Sequence, residues 1–228
     1  MASDQRRTKP TDVYLEVGSK RVFACALAWP GWCRSGRTEE LALEALADYV
    51  PRYKVVARQA RIAFPTTAGD KLRVVERLRG SGTTDFGAPG ELASSDGNPV
   101  NEAGAERLAK LVAASWAVLE QVAADAPAEL RKGPRGGGRD RDRIVDHVLG
   151  AEAAYARQIG VRHRQPAIDD EAAIKALRGA IVAVLGAPWD GTPLAPKGWP
   201  PRYAARRIAW HALDHAWEIQ DRSDAAGP

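Results

Sequence analysis

The feature that most constrains the fold is a change of hydrophobic period after Pro99. From there on, apolar residues recur every three to four positions, which is typical of helices that bury one face. Four such stretches follow one another: about Glu102–Ala124, Asp140–Ile159, one that begins at Asp169 or Asp170, and one that opens with Pro201. Helices of this kind bury their apolar stripes against each other, so the pattern predicts a four-helix bundle.

The part before Pro99 has the patterning of a small sheet with a helix. Alternating apolar and polar residues predict a β-hairpin from Asp12 to Trp29, which Pro30-Gly31 interrupts. Thr38 is a typical N-cap, and the two glutamates after it suit the positive end of a helix. Further predicted elements are a short strand at Cys33–Arg37, a helical piece from Pro51 to Ile62, a strand at Leu72–Leu78, and a loop from Gly80 to Pro99 that is rich in Gly and Pro.

The chain is therefore expected to be mainly α, with the bundle preceded by a small α+β domain. We predict a flexible N-terminus (1–11), the α+β domain (12–97), the four-helix bundle (98–222) and a C-terminal tail (223–228). The hydrophobic fraction of 45% is ordinary for a globular protein with a real core.

Composition also bounds location and redox state. No apolar run approaches the roughly 20 residues that cross a bilayer, and the basic start has no apolar segment after it, so a cytoplasmic protein is expected. Cys25 and Cys33 are too few for a disulfide framework. We expect two reduced thiols, at least one of them packed in the sheet.

Much of the net charge of +4 is local. The segment Arg131–Arg143 holds six basic residues and two aspartates. It is compatible with a solvated linker or with a loop that holds an acidic thiol cofactor or a phosphate. It has no phosphate-loop pattern, and no basic stretch with interleaved aromatic residues predicts a nucleic-acid partner.

Histidines give the strongest functional signal. The chain has four, and three fall in two helical stretches: His147 in one, and His211 and His215 in another. On a helix, residues four apart have Cβ atoms roughly 5–6 Å apart on one face. Two imidazoles in that arrangement can converge on one ion, and His147 supplies a third, so a three-histidine metal centre is predicted. The alternative is a set of buried histidines hydrogen-bonded to carboxylates or backbone. His163 is expected in a loop.

The segments HVLGAE (147–152) and HALDH (211–215) resemble the DinB-like superfamily over residues of about 100–222. That resemblance implies that His147, His211 and His215 bind a divalent metal, zinc or nickel, at one end of the bundle. It also implies a transferase or isomerase that uses mycothiol or a similar thiol on a small-molecule substrate, and a homodimer. Glu152 and Tyr155 are the candidate catalytic residues lining the cavity. Asp146, Asp214 and Glu218 are further carboxylates nearby in the sequence, but Asp146 and Asp214 are each adjacent to a histidine and are expected to point elsewhere.

A second resemblance covers residues of about 12–80. The run WPGWCRSGRTEELALEAL (29–46) resembles HicB-like antitoxin domains, which are small α+β units that often pair with a toxin. This leaves two alternatives to the enzyme. One is a non-enzymatic regulatory or interaction protein with a vestigial bundle site, and the other is a biosynthetic tailoring enzyme that works without metal.

Overall fold

A computed structural model of the chain describes residues 9–133 and 137–223. Most of the two predicted terminal segments, and residues 134–136 of the basic segment, lie outside this range. The described residues form seven α-helices and a four-stranded sheet, so the structure is mainly α with a smaller β part. They divide into two compact units, Met1–Ala93 and Ser94–Pro228.

The first unit contains the sheet, with strand order β3-β2-β1-β4. The hairpin of β1 and β2 is antiparallel, and so is the pairing of β2 with β3, whereas β4 runs parallel to β1. Its elements are β1 (Thr11–Val17), β2 (Val22–Ala26), β3 (Cys33–Gly36), α1 (Glu39–Asp48), α2 (Val50–Gln59), β4 (Leu72–Arg79) and α3 (Gly82–Phe86).

The start of α1 confirms the predicted cap, since the Thr38 side chain accepts a hydrogen bond from Leu41 N. An aromatic cluster then joins the helices to the turn after β2. Within it, Trp32 Nε1 donates to Leu46 O at 2.8 Å, and the Tyr53 hydroxyl donates to Pro30 O at 2.7 Å. Because the chain turns away from the sheet to build this cluster, β2 ends at Ala26 and not at Trp29 as predicted.

The prediction of an uninterrupted loop at Gly80–Pro99 was wrong. The segment contains α3, which begins where Ser81 N donates a hydrogen bond to the Thr84 hydroxyl at 2.8 Å, and a 3-10 turn at Ser94–Gly97. Next to α3, the fully buried Glu16 carboxylate accepts hydrogen bonds from the backbone N–H groups of Gly90 and Glu91. Elements of four or five residues are too short to show a hydrophobic period, and so the pattern missed them.

The second unit contains four long helices: α4 (Glu102–Asp125), α5 (Arg141–Gln158), α6 (Glu171–Leu185) and α7 (Pro201–Ser223). Helix α7 packs against α4 and α5, and α6 packs against the same two helices. A buried ion pair ties the 3-10 turn to α7, with Arg206 Nη1 2.6 Å from Asp96 Oδ1. None of the helices in the described ranges is long and apolar enough to cross a membrane.

Candidate metal centre

The structure brings His147 of α5 together with His211 and His215 of α7. One ligand nitrogen from each ring lies within 4.8 Å of the others. The ring centroids are 5.0 Å apart for His147 and His211, 5.1 Å for His147 and His215, and 4.7 Å for His211 and His215. A tetrahedral ion about 2.0–2.1 Å from each nitrogen needs nitrogens roughly 3.3 Å apart. Small rotations of the three side chains would shorten the nitrogen–nitrogen distances from within 4.8 Å to this value.

Helix packing explains why these rings meet. The buried surface of α7 is rich in small side chains, which let neighbouring helices approach closely: alanines 204, 205, 209, 212 and 216 are all fully buried. His211 and His215 lie one turn apart between them. On α5, His147 is next to the fully buried Val148 and one turn after the fully buried Ile144, so the packing of α5 fixes where its ring points.

The three histidines of the cluster differ in how deeply they are buried. His211 is only 7% exposed, whereas His147 and His215 are half-buried. Burial is the main cause that lowers the pKa of His211 well below its usual value, and the neighbouring His215 and His147 lower it further. Burial, followed by His215 and Arg139, also lowers the pKa of His147. Both imidazoles are therefore neutral near pH 7, which is the form that donates a lone pair to a metal.

A carboxylate orients the third ring. His215 Nδ1 lies 2.8 Å from Glu218 Oε2, and the other oxygen of Glu218 accepts a hydrogen bond from Arg222 Nη1 at 2.7 Å. The hydrogen bond to His215 is the main cause that lowers the pKa of Glu218, so this group is an ionised acceptor. Because an ionised carboxylate only accepts, this contact favours the His215 tautomer with its proton on Nδ1, in which Nε2 is the lone-pair donor.

His211 supplies a test of whether a cation fits the cluster. Its Nδ1 atom is buried and makes no hydrogen bond within the described residues. Leaving a buried polar atom without a partner costs about 1–3 kcal/mol. An ion held among the three rings, or a water bound to that ion, would satisfy the donor set, and so the residues fit a divalent metal.

Tyr155 lies at the same site. Its ring centroid is 5.7 Å from that of His211 and 5.2 Å from that of Trp199. The guanidinium carbon of Arg207 lies 5.4 Å from the Tyr155 centroid, over the ring. Tyr155 and Trp199 thus form an aromatic wall beside the histidines, and the sequence offered no signal for the part played by Trp199.

Glu152, the other candidate catalytic residue, lies in a different environment. It is 1% exposed, and both of its carboxylate oxygens accept hydrogen bonds from Arg178 of α6, at 2.9 and 3.1 Å. Arg178 also pairs with Glu120 of α4. Burial raises the pKa of Glu152, and the positive charge of Arg178 opposes that rise. Glu152 is thus part of a buried ion pair that joins α5 to α6, and its catalytic role stays a prediction.

His163, expected in a loop, lies after the end of α5 and before α6. A pocket of about 630 Å³ opens to solvent beside His147 and gives a ligand access to the cluster. Sequence reasoning did not single out its two arginines, Arg139 and Arg143, from the rest of the basic segment.

Comparisons of the chain with protein-family models, with curated proteins and with solved structures find no match. The DinB-like and HicB-like resemblances therefore stay predictions.

Proposed function

We propose that the second unit is a metal-dependent enzyme of the DinB-like group, built as a four-helix bundle. In this proposal His147, His211 and His215 hold a divalent metal, zinc or nickel. The observation that carries it is the convergence of three imidazole nitrogens within 4.8 Å from two helices. A neutral imidazole cluster of this kind suits zinc, nickel, copper or iron(II).

The donor set favours a catalytic site over a structural one. Structural zinc sites use four protein ligands, whereas three protein ligands leave a position open for water or substrate. When bound, such an ion supplies a Lewis acid and lowers the pKa of a bound water or thiol. The reaction class that the sequence resemblance implies is a transfer or isomerisation that depends on mycothiol or a similar thiol.

Residues of the chain have separate tasks in this proposal. Glu218 fixes the tautomer and orientation of His215 through the 2.8 Å hydrogen bond. Tyr155 and Trp199 present an aromatic wall against which a substrate is oriented beside His211. Glu152 acts through Arg178 as a positioning residue, because their ion pair fixes α5 and with it His147.

Elemental analysis after reconstitution with zinc or nickel tests the metal centre. We expect a stoichiometric ion in the wild type and its loss in His147→Ala, His211→Ala and His215→Ala. His163→Ala is the matched control, since it removes an imidazole from a loop outside the cluster. A wild type that takes up no more metal than the three variants would overturn the proposal.

Thiol binding tests the reaction class. In the cobalt-substituted protein, a thiolate ligand produces a charge-transfer absorption band that an alcohol of the same size does not. We expect mycothiol to produce this band and His211→Ala to abolish it. A full complement of cobalt without any band on addition of thiol would leave a metal protein and exclude the thiol-dependent class.

A further inference from the structure

The pocket beside the histidine cluster has a floor formed by one stripe of α5. Four lining residues follow one another at helical spacing along α5, namely Arg143, His147, Gly150 and Ala151, and Arg139, just before the helix begins, also lines the pocket. His147 belongs both to the pocket and to the three-histidine cluster. A molecule that fills the pocket therefore lies next to the position of the proposed ion.

The two arginines of this pocket differ from the arginines around them. Arg141 pairs with Asp142 and donates to Ala126 O, and Arg222 pairs with Glu218. Arg139 and Arg143 make no hydrogen bond or ion pair with any residue in 9–133 or 137–223. Two guanidinium groups beside one concave surface repel each other and attract an anion.

The positive charge of Arg139 reaches the cluster itself. It is one of the causes that lower the pKa of His147 and of His211. An anion held by Arg139 thus lies within electrostatic range of two proposed metal ligands. Arginine is also the residue best suited to hold a carboxylate, because its guanidinium group can donate two parallel hydrogen bonds to the two oxygens.

Asp146 is the one carboxylate among the described residues that line the pocket, and it lowers the positive charge there. Asp146 accepts a hydrogen bond at 2.8 Å from Gln165 Nε2, which also donates to the Asp146 carbonyl oxygen at 3.2 Å. This neutral partner leaves the negative charge of Asp146 in the lining. Without an ion in the cluster, the two arginines and one aspartate among the described lining residues give a formal charge of +1, which matches a monoanion better than a phosphate dianion.

We propose that Arg139 and Arg143 form a carboxylate-binding subsite beside the histidine cluster. A ligand of this site carries a carboxylate that the arginines hold, while another of its donor atoms reaches the cluster. The second half of this statement rests on the proposed metal centre. The first half does not, because the arginines and the pocket are present without an ion.

Cobalt-substituted full-length protein tests the whole arrangement. The probes are mercaptoacetate and mercaptoacetamide, which share a thiol and differ in the charge of the second group, and the thiolate-to-cobalt band reports binding. Because Arg139 and Arg143 are exposed and solvent screens their charges, we expect mercaptoacetate to gain roughly 2-fold to 5-fold in affinity relative to mercaptoacetamide. The same ratio of affinities is measured in the variant R139Q/R143Q and used as the reference. That variant lacks both guanidinium groups, so its ratio reports every other difference between the two thiols.

The control variant is R157Q/R162Q, which removes two arginines near the other end of α5 that are exposed, as Arg139 and Arg143 also are. It has the same net charge as R139Q/R143Q and should keep the preference for mercaptoacetate. Equal preferences in the wild type and in R139Q/R143Q, with cobalt bound in both, would overturn the subsite and leave the metal centre intact. Equal loss in both double variants would show a general charge effect and would also overturn it.

Metal-free protein separates failure of the subsite from failure of the metal centre. Acetate and inorganic phosphate are titrated in turn while NMR follows the arginine Nε–Hε signals, assigned from R139Q and R143Q. Movement of those two signals with acetate supports the subsite even if the wild type takes up no cobalt. No movement, or movement at lower concentration with phosphate than with acetate, would overturn the carboxylate assignment.

Discussion

Glu218 lies against the Nδ1 atom of His215: its Oε2 is 2.8 Å from that nitrogen, and Arg222 pairs with its other oxygen. The two residues are three apart on α7, so one turn of helix supplies both a proposed ligand and the group that orients it. Carboxylates in this position commonly raise the basicity of the ligand and fix the direction of its lone pair.

Glu218→Gln is therefore expected to weaken metal binding while leaving the fold intact. The amide keeps the size of the side chain but removes the negative charge, and losses of about 10-fold to 100-fold in metal affinity are usual for such a change. Competition with a chromophoric chelator measures the affinity. The control is Glu106→Gln, which removes an exposed carboxylate that pairs with Lys110 on α4. Equal affinity in the two variants would contradict the orienting role.

In the metal-free protein, His211 and His147 should contribute a loss of stability as the pH falls from about 6.5 towards 4.5. The pKa values of His211 and His147 are depressed in the folded chain, so the unfolded chain binds more protons once the pH falls below the usual histidine value of 6.5. The contribution of these histidines to the free energy of unfolding therefore decreases as the pH falls through this range. The depressed pKa of Glu218 causes a further loss only below its usual value of 4.5.

Urea denaturation at several pH values in the presence of a chelator measures this effect. The variant His211→Gln should show a shallower dependence, because its side chain does not take up a proton. The raised pKa of Glu152 makes its contribution to stability increase as the pH falls. This contribution is present in the wild type and in His211→Gln, so it cancels when the two pH dependences are compared. A dependence of the same slope in both proteins would mean that His211 is not the group that titrates.

Arg178→Met should destabilise the second unit strongly. It leaves the 1% exposed Glu152 without its positive partner, and breaking a buried pair in this way typically costs about 3–5 kcal/mol. Adding Glu152→Gln to the same chain should recover part of the loss, because a neutral amide costs less to bury. Denaturant unfolding measures both. Lys110→Met, which breaks an exposed pair with Glu106, should cost under about 1 kcal/mol. Equal losses for Arg178→Met and Lys110→Met would contradict the importance of burial.

Neither cysteine should react with a thiol reagent in the native protein. Cys25 and Cys33 face each other across β2 and β3, and both are buried. Burial raises the pKa of Cys33 well above its usual value, so almost no thiolate is available. Both thiols should react with Ellman's reagent once the chain is unfolded in guanidinium chloride. Rapid reaction without denaturant would show that the first unit opens easily.

The helices could be predicted from sequence because each of the four long ones carries an apolar stripe of several turns. Predicted and observed starts agree within two residues, and Pro201 is the first residue of α7 as expected. The hairpin and the Thr38 cap were also predicted, because their signals lie within a few residues. The parallel pairing of β4 with β1 was not, since strands far apart in the chain leave no local trace of their partner.

Prediction of the site also relied on features set by neighbouring residues and missed a contact between distant parts of the chain. The one-turn spacing of His211 and His215 is a local signal, and the meeting with His147 was a hypothesis that the helix packing supports geometrically. The Arg178 partner of Glu152 lies on another helix, 26 residues away in the chain. A glutamate on a helix usually lies on the surface, and nothing in the sequence around Glu152 indicates the guanidinium group that permits its burial.

The sheet order of the first unit has a consequence for biosynthesis. The first strand of the chain, β1, lies between β2 and β4, but β4 begins only at Leu72. While the ribosome is still adding α1 and α2, one side of an apolar strand that contains Val13 and Leu15 offers unpaired N–H and C=O groups. Until β4 has been synthesised and pairs with β1, that edge can pair with another nascent chain. A chaperone would shield the protein most effectively at this stage.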